Sequence, residues 1–242
     1  MSIVTELIPT TLENINPEDE AAREWIARRY ALEGERWVAV NMITTMNGSA
    51  AGEDGTSDTI SNRVDRYILG VIRDQAHAVL VGAQSLRAEG YTIPRRATLA
   101  VLTRGGDLGD VPNNEGARER LIVLCPRASV PKVTGRVGDR VLAVIGIDAA
   151  DPTPEQILDT LAEHGYTRVI CEGGPTVTGS FLAAGAIDEI FLTAAPSVVL
   201  PPQPVFGQSE NLVTRYELHG LLMDSEGTLY QRFRPLTEPL GG

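Results

Sequence analysis

Apolar residues along the chain gather in short, nearly unbroken runs separated by Gly, Pro and charged positions. Trp37 to Ile43 (WVAVNMI) is the clearest such run, and its β-branched residues predict a strand covered on both faces, the pattern of a parallel sheet between helices. Shorter strands are expected at Ala78 to Val81, Thr98 to Leu102, Leu121 to Cys125, Val141 to Ile145 and Arg168 to Cys171. Between them the apolar spacing becomes helical. Val64, Ile68 and Ile72 repeat at four-residue intervals and predict a helix from a cap at Ser61 to about Ile72. Thr153-Pro154-Glu155-Gln156 is a capping box with Pro in the first turn, and Ile157, Leu158 and Leu161 form the buried stripe of a helix that stops before Gly165. A further helix follows Glu172-Gly173-Gly174-Pro175 and ends near Gly185, after which IDEIFLTAAPSVV begins another strand.

The two ends break this alternation. Asn16-Pro17-Glu18-Asp19 reads as a helix entry, with Asn16 as cap and acids at the positive end, and Trp25, Ile26 and Tyr30 turn toward the body. Residues 1–36 are therefore an N-terminal extension with one helix, and 37–242 a single domain. At the other end VTRYELHGLLM and TLYQRFRP alternate around the turn Asp224 to Gly227 and predict an antiparallel hairpin. Thr44 to Ile60 is a polar loop of the long kind that often carries function, and Pro126 to Asp139 reads as a polar internal connection. The expected fold class is α/β: a mixed, mainly parallel central sheet flanked by helices, with a C-terminal antiparallel hairpin.

Composition narrows the function classes. With 242 residues, 43% hydrophobic and 22% charged, the chain can bury a full core without staples. Its 32 acidic residues against 21 Lys plus Arg give a net charge of -11, which repels polyanions and argues against nucleic-acid binding while leaving room for a local basic pocket. Cys125 and Cys171 end the runs LIVLC and RVIC, as buried thiols of a reducing cytoplasm do. The start lacks a cationic, apolar leader and no run approaches ~18 apolar residues, so a cytoplasmic protein without membrane contact is expected. His77, His164 and His219 have no zinc-deaminase context, and HExxH, P-loop, GxSxG and GxGxxG patterns are missing, so no metal is expected.

Ligands of open α/β sheets collect beyond the carboxyl ends of parallel strands. VGAQSLRAEG (Val81 to Gly90), LTRGG (Leu102 to Gly106) and CEGGPTVTGS (Cys171 to Ser180) share that address. Gly173-Gly174-Pro175 lets the backbone approach a pyrophosphate, or is simply a tight strand-to-helix turn. Thr103 and Arg104 offer a hydroxyl and a guanidinium to a phosphomonoester, or form a solvated strand end with Arg104 paired to Asp107.

Taken in order, VAVNMITTMNG, TISNRVDRYILGVIRDQAHAVLVGAQSLRAEGY, LTRGG and RVICEGGPTVTGSFLAAGAIDEIFLTAAPSVV resemble the reductase domain of the bacterial riboflavin-synthesis deaminase/reductases and its stand-alone actinobacterial relatives. The resemblance covers roughly Trp37 to Pro235. It implies a dihydrofolate-reductase-like fold, NADPH as cofactor, a homodimer, and reduction of 5-amino-6-(5-phosphoribosylamino)uracil to its ribitylamino form by hydride delivery to ribose C1′. By the same resemblance Gly82, Ala83 and Ser85 line the dinucleotide, Thr103 and Arg104 meet its 2′-phosphate, and Gly173, Gly174, Pro175 and Thr176 hold the pyrophosphate. Asn41, Met46, Asn47, Gly48, Ser61, Arg87 and Tyr91 face the phosphorylated pyrimidine, and Glu172 or Glu89 supplies or relays a proton.

Two departures bear on the substrate. The usual SLDG becomes Thr45-Met46-Asn47-Gly48, with an amide in place of an acid, and AEGYTIPRR replaces the acidic pair and substrate Arg of the bifunctional enzymes. Arg95 or Arg96 then meets the ribose phosphate, or the two form a solvated basic pair. Alternatives within reach of the same residues are reduction of another pterin- or pyrimidine-like compound, with weak dihydrofolate reductase activity, and a non-catalytic NADPH-binding paralogue.

Overall fold

The computed structural model of the protein describes residues 2–109, 117–207 and 212–236. In its first half the elements are β1 (Val4–Ile8), β2 (Asn14–Ile15), α1 (Ala22–Arg29), β3 (Trp37–Thr45), α2 (Arg63–Arg73), β4 (Ala78–Gly82), α3 (Ala83–Glu89), β5 (Thr98–Leu102), α4 (Ala117–Arg120) and β6 (Leu121–Pro126). They continue as α5 (Val130–Val137), β7 (Ala143–Ile147), α6 (Pro154–Glu163), β8 (Arg168–Cys171), α7 (Gly174–Ala183), β9 (Glu189–Ala195), β10 (Tyr216–Asp224) and β11 (Leu229–Pro235). All eleven strands join one sheet in the order β2-β1-β10-β11-β9-β3-β8-β4-β5-β6-β7.

From β9 to β7 every pairing is parallel, and from β2 to β9 every pairing is antiparallel. The expected α/β class, mainly parallel with a late antiparallel hairpin, is what the structure shows. Unbroken apolar runs make sense in this arrangement because alternate residues serve two cores. Ala39, Val79, Val81, Leu99 and Val101 face one cluster, shared with α1 and α2, while Val38, Val40, Ala78, Leu80 and Ala100 face the other, shared with α6 and α7.

Several local expectations shift. The helix after Ser61 is capped one residue later, by Asn62, whose side chain accepts from the Asp65 N–H at 2.9 Å. Asn16 does not cap a helix; its side chain closes a turn onto Glu18, and α1 starts at Ala22 without a side-chain cap. Strand β7 begins at Ala143 rather than Val141. The segment read as a polar connection holds a 3₁₀ turn and helix α5, whose Val133 and Val137 are buried at four-residue spacing. Polar exposed positions mask that apolar pair in the sequence.

The N-terminal residues supply more than a helix. Strand β1 pairs antiparallel with β10, and Ile26 of α1 and Tyr30 just past it are among the largest fully buried side chains. Tyr30 meets Phe191 of β9 edge-on at 5.1 Å. Glu6 on β1 accepts from Arg29 at 2.8 and 2.7 Å and from Thr11 at 2.5 Å, which ties strand to helix.

Candidate active site

A cleft of about 1380 Å³ opens beyond the carboxyl ends of β3, β4, β5 and β8, where the topology turns outward from β8 in both directions. One half of it is built on three glycines. A Cβ on Gly82 would stand 3.2 Å from the Gly173 carbonyl oxygen, one on Gly173 would come within 2.8 Å of Val177, and one on Gly174 would lie 2.2 Å from Ser85 Oγ. Gly174 also has φ +73°, which disfavours any other residue. The β4–α3 and β8–α7 junctions therefore touch backbone to backbone. Pro175 sits in the first turn of α7, where a missing N–H leaves no intrahelical acceptor unused. Within that turn the Gly174 N–H donates to the Glu172 carbonyl oxygen at 2.8 Å, while the Thr176 N–H has no acceptor within the helix and faces an anion favourably. Ala83, Ser85 and Thr176 line this part of the cleft.

At the far end Thr103 is buried, and its Oγ1 accepts from the Gly106 N–H at 3.0 Å and the Gly105 N–H at 3.4 Å. Arg104 beside it is 81% exposed and donates to Asp151 at 2.6 Å, not to Asp107. Asp107 instead lies 3.8 Å from Arg87, which donates to the Asp107 carbonyl oxygen at 2.5 Å.

The other half of the cleft lies against α2 and β3. Glu172, just past β8, is buried and accepts from Arg73 Nε at 2.8 Å and Nη2 at 2.5 Å. Burial disfavours the Arg73 charge, but the facing Glu172 carboxylate outweighs it and holds the guanidinium above its usual range. Tyr91 packs its ring 5.6 Å from the Arg73 guanidinium and donates to the Glu172 carbonyl oxygen at 3.2 Å. Its hydroxyl is pushed well up, first by burial and then by the Glu172 charge, so it remains a donor. Cys171 is pushed up to about 11 by burial and is no thiolate nucleophile.

Glu89 accepts from the Ser57 N–H at 3.2 Å and from the Ser57 hydroxyl at 2.8 Å, which draws the polar loop onto α3. On the α2 side Asp65 accepts from Thr193 Oγ1 and from Ser61 Oγ, each at 2.7 Å. The start of α2 is fixed by the hairpin tip: Asn62 Nδ2 donates to Asp224 at 2.8 Å, and Tyr230 donates to Asp224 at 2.8 Å.

Most of the residues singled out in the sequence meet here. Asn41, Ser61, Gly82, Ala83, Ser85, Arg87, Glu89, Tyr91, Thr103, Arg104, Glu172, Gly173, Gly174, Pro175 and Thr176 all line the cleft. Met46, Asn47 and Gly48 do not. The chain turns at Gly48 with φ +84°, Asn47 bonds to Val199 through both its amide nitrogen and oxygen, and Met46 is 68% exposed. Arg95 and Arg96 are also exposed outside it, with Arg96 3.9 Å from Asp74. Sequence reasoning missed Arg73, Asp65 and Thr193. Asp65, Leu69 and Arg73 repeat every four residues, one position after the apolar stripe of α2, and line the cleft together.

Among the described residues no helix is long and apolar enough to cross a membrane, and no group of three His, Cys, Asp or Glu side chains is placed to hold a metal ion.

Comparison with known proteins places this geometry. Residues 36–230 match the model of the RibD C-terminal domain. The riboflavin biosynthesis protein RibD of Mycobacterium tuberculosis is 28% identical over 180 residues, which is 74% of this chain and 47% of that protein, so the chain spans about half of this relative's length. A 2,5-diamino-6-ribosylamino-4(3H)-pyrimidinone 5′-phosphate reductase of Methanothermobacter thermautotrophicus is 26% identical over 67% of this chain and 79% of its own length. Among solved structures, a pyrimidine reductase-like protein of Corynebacterium diphtheriae superposes with a TM-score of 0.76 at 22% identity, covering 88% of this chain and 99% of its own. The deaminase/reductase of Thermotoga maritima gives 0.69 at 22% identity over 84% of this chain and 57% of its own, and both likenesses are of fold. The match over residues 36–230 shows that the chain belongs to the RibD C-terminal domain family.

Proposed function

We propose that this chain is an NADPH-dependent reductase of 5-amino-6-(5-phosphoribosylamino)uracil that forms the ribitylamino product by hydride delivery to ribose C1′. The observation that carries the reading is the division of one cleft into two chemically different halves. One half is a backbone cradle at the start of α7, in which a single Cβ on Gly174 would occupy the space beside Ser85. The other is walled by the Arg73–Glu172 ion pair, Tyr91 and Asn41.

The residues present fit a dinucleotide. Gly82, Gly173, Gly174, Pro175 and Thr176 would hold its pyrophosphate against the start of α7, and Thr103 with Arg104 would meet a 2′-phosphate. Asp151 now holds Arg104 at 2.6 Å and would exchange that contact for the phosphate. Bound there, the reduced nicotinamide supplies the hydride. The protein's own part is to seat the ribosylamine against the α2 wall, to keep Tyr91 as a neutral donor, and to close the polar loop through Glu89 and Ser57. The reading includes a homodimer acting in the cytoplasm, checked by sedimentation of the purified protein.

The archaeal relative, named for a reductase of the diaminopyrimidinone, favours a second substrate: the same ribosylamine before deamination. Purified protein should be offered NADPH with each compound in turn. Oxidation with the deaminated compound and little with its precursor is expected, the reverse order would reassign the substrate, and tight NADPH binding without turnover on either would leave a binding paralogue instead.

A further inference from the structure

Among the described residues six carboxyl side chains line the cleft, and five of them are committed elsewhere. Asp58, Asp151 and Glu172 accept from Arg66, Arg104 and Arg73, Asp107 lies beside Arg87, and Glu89 accepts from the N–H and hydroxyl of Ser57. Asp65 is different. It sits in the first turn of α2, and among the described residues its two oxygens accept hydroxyl hydrogen bonds alone, from Ser61 and from Thr193 across on β9, each at 2.7 Å. Each oxygen keeps one lone pair for another partner. In the sheet order β9-β3-β8-β4, Thr193 and Asp65 stand on the opposite side of β3 from the glycine junctions of β8 and β4. That is the half of the cleft left to the substrate.

Its surroundings shift its titration upward. Burial raises the Asp65 carboxyl, the two hydroxyls and Arg66 oppose this, and the Glu172 carboxylate acts with burial, so the balance is upward. Tyr30, just past α1, and Tyr230 on β11 pack beneath it, and burial lifts both hydroxyls above their usual range, so they stay neutral.

We propose that Asp65 is the substrate-side proton donor of the reduction, a role that rests on the function inferred above. As ribose C1′ gains the hydride of a reduced nicotinamide dinucleotide, the C1′–O4′ bond breaks and its electron pair passes to O4′. The Asp65 carboxyl gives its proton to O4′, which becomes the free hydroxyl of the ribityl chain. Asp65 is left as a carboxylate held by Ser61 and Thr193 and regains a proton from water in the open cleft. One hydride and one proton enter the substrate, and the dinucleotide leaves oxidised.

The test compares the wild type, Asp65→Asn and Thr193→Val, each first checked for a cooperative melt and for NADPH binding. Wild-type kcat/KM should fall as pH rises through the Asp65 ionisation. Asp65→Asn should lose that limb and roughly 100-fold or more in kcat, the scale of a missing general acid. Thr193→Val removes a hydrogen bond that favours the charged form, so the limb should move to higher pH with activity retained. In the ligand-free protein, infrared difference spectra recorded across a pH titration should show a carboxyl band that titrates above the ordinary aspartate range in the wild type and is missing in Asp65→Asn. A wild type that turns over while Asp65→Asn keeps the same limb and rate, or a limb unmoved in Thr193→Val, overturns the donor alone. Failure of the wild type to reduce either pyrimidine overturns the assigned reaction, and the donor with it.

Discussion

The Arg73–Glu172 pair lends itself to a quantitative test because both charges leave water together. Glu172 retains 5% of its side-chain exposure and Arg73 18%, and the guanidinium meets both carboxylate oxygens. Replacing Arg73 by Met keeps the aliphatic bulk beneath Tyr91 but strands a carboxylate that has almost no access to solvent. Removing one partner of a fully buried pair costs about 3 to 5 kcal/mol, and the residual exposure of Arg73 places this site at the lower end, about 3 kcal/mol. For a chain of this size that corresponds to a fall in Tm of roughly 6 to 12 °C. Glu172→Gln should cost less, about 2 kcal/mol, because the stranded guanidinium can reach water along its stem. The double variant Arg73→Met/Glu172→Gln leaves no isolated charge and should be less destabilised than the sum of the singles by about 2 kcal/mol. Urea unfolding at neutral pH of all four proteins, read by far-ultraviolet circular dichroism, measures the coupling. Single effects that add to within about 0.5 kcal/mol would refute the claim that the two residues act as one desolvated unit.

Three further outcomes follow from particular contacts. Arg104→Ala should narrow the preference for NADPH over NADH about tenfold, ~1.4 kcal/mol, measured as the ratio of dissociation constants, and an unchanged ratio would remove Arg104 from the 2′-phosphate. Gly174→Ala combines an unfavourable φ with a Cβ 2.2 Å from Ser85 Oγ, whereas Gly185→Ala has φ +64° and open space, so only the first should abolish NADPH binding while the second costs roughly 1 to 2 kcal/mol of stability. Equal affinities for NADPH in the two variants would show that the cradle does not matter. Burial would lift Glu6, but hydrogen bonds from Arg29 and Thr11 and the Arg29 charge hold it below its ordinary value. Its contribution is thus present above the ordinary carboxylate pKa and lost as pH falls through the depressed one. Glu6→Gln should cost about 2 kcal/mol at neutral pH, and the gap to the wild type should close in acid; a gap independent of pH would contradict the assignment.

Much of the parallel sheet was legible because each central strand is a short apolar run with both faces buried. Thr98 to Leu102 and Arg168 to Cys171 have the limits expected, and the box at Thr153 closes as its residues imply, with hydrogen bonds in both directions. What escaped depends on partners far along the chain. Nothing near Val4 announces that it will pair with Asp224, so β1 reads only as an extended start. The cleft shows the same division. Its glycines carry their own local signal, since Gly173 and Gly174 sit between a strand and a Pro-led helix. Arg73 and Asp65 look like ordinary exposed charges of an amphipathic helix, and only the crossing of β8 and β9 past α2 gives them Glu172 and Thr193 as partners. Met46 and Asn47 mislead in the opposite sense: they follow a strand that enters the site, but the turn at Gly48 spends them on the 197–205 segment.

The most direct measurement follows the transferred atom. NADPH carrying deuterium at both positions of C4 of the nicotinamide would be incubated with the purified protein and freshly generated 5-amino-6-(5-phosphoribosylamino)uracil, and the product analysed by mass spectrometry and proton NMR. One deuterium is expected in the product, on C1′ of the ribityl chain. Product without deuterium at C1′, or NADPH left unoxidised although it binds, would contradict it.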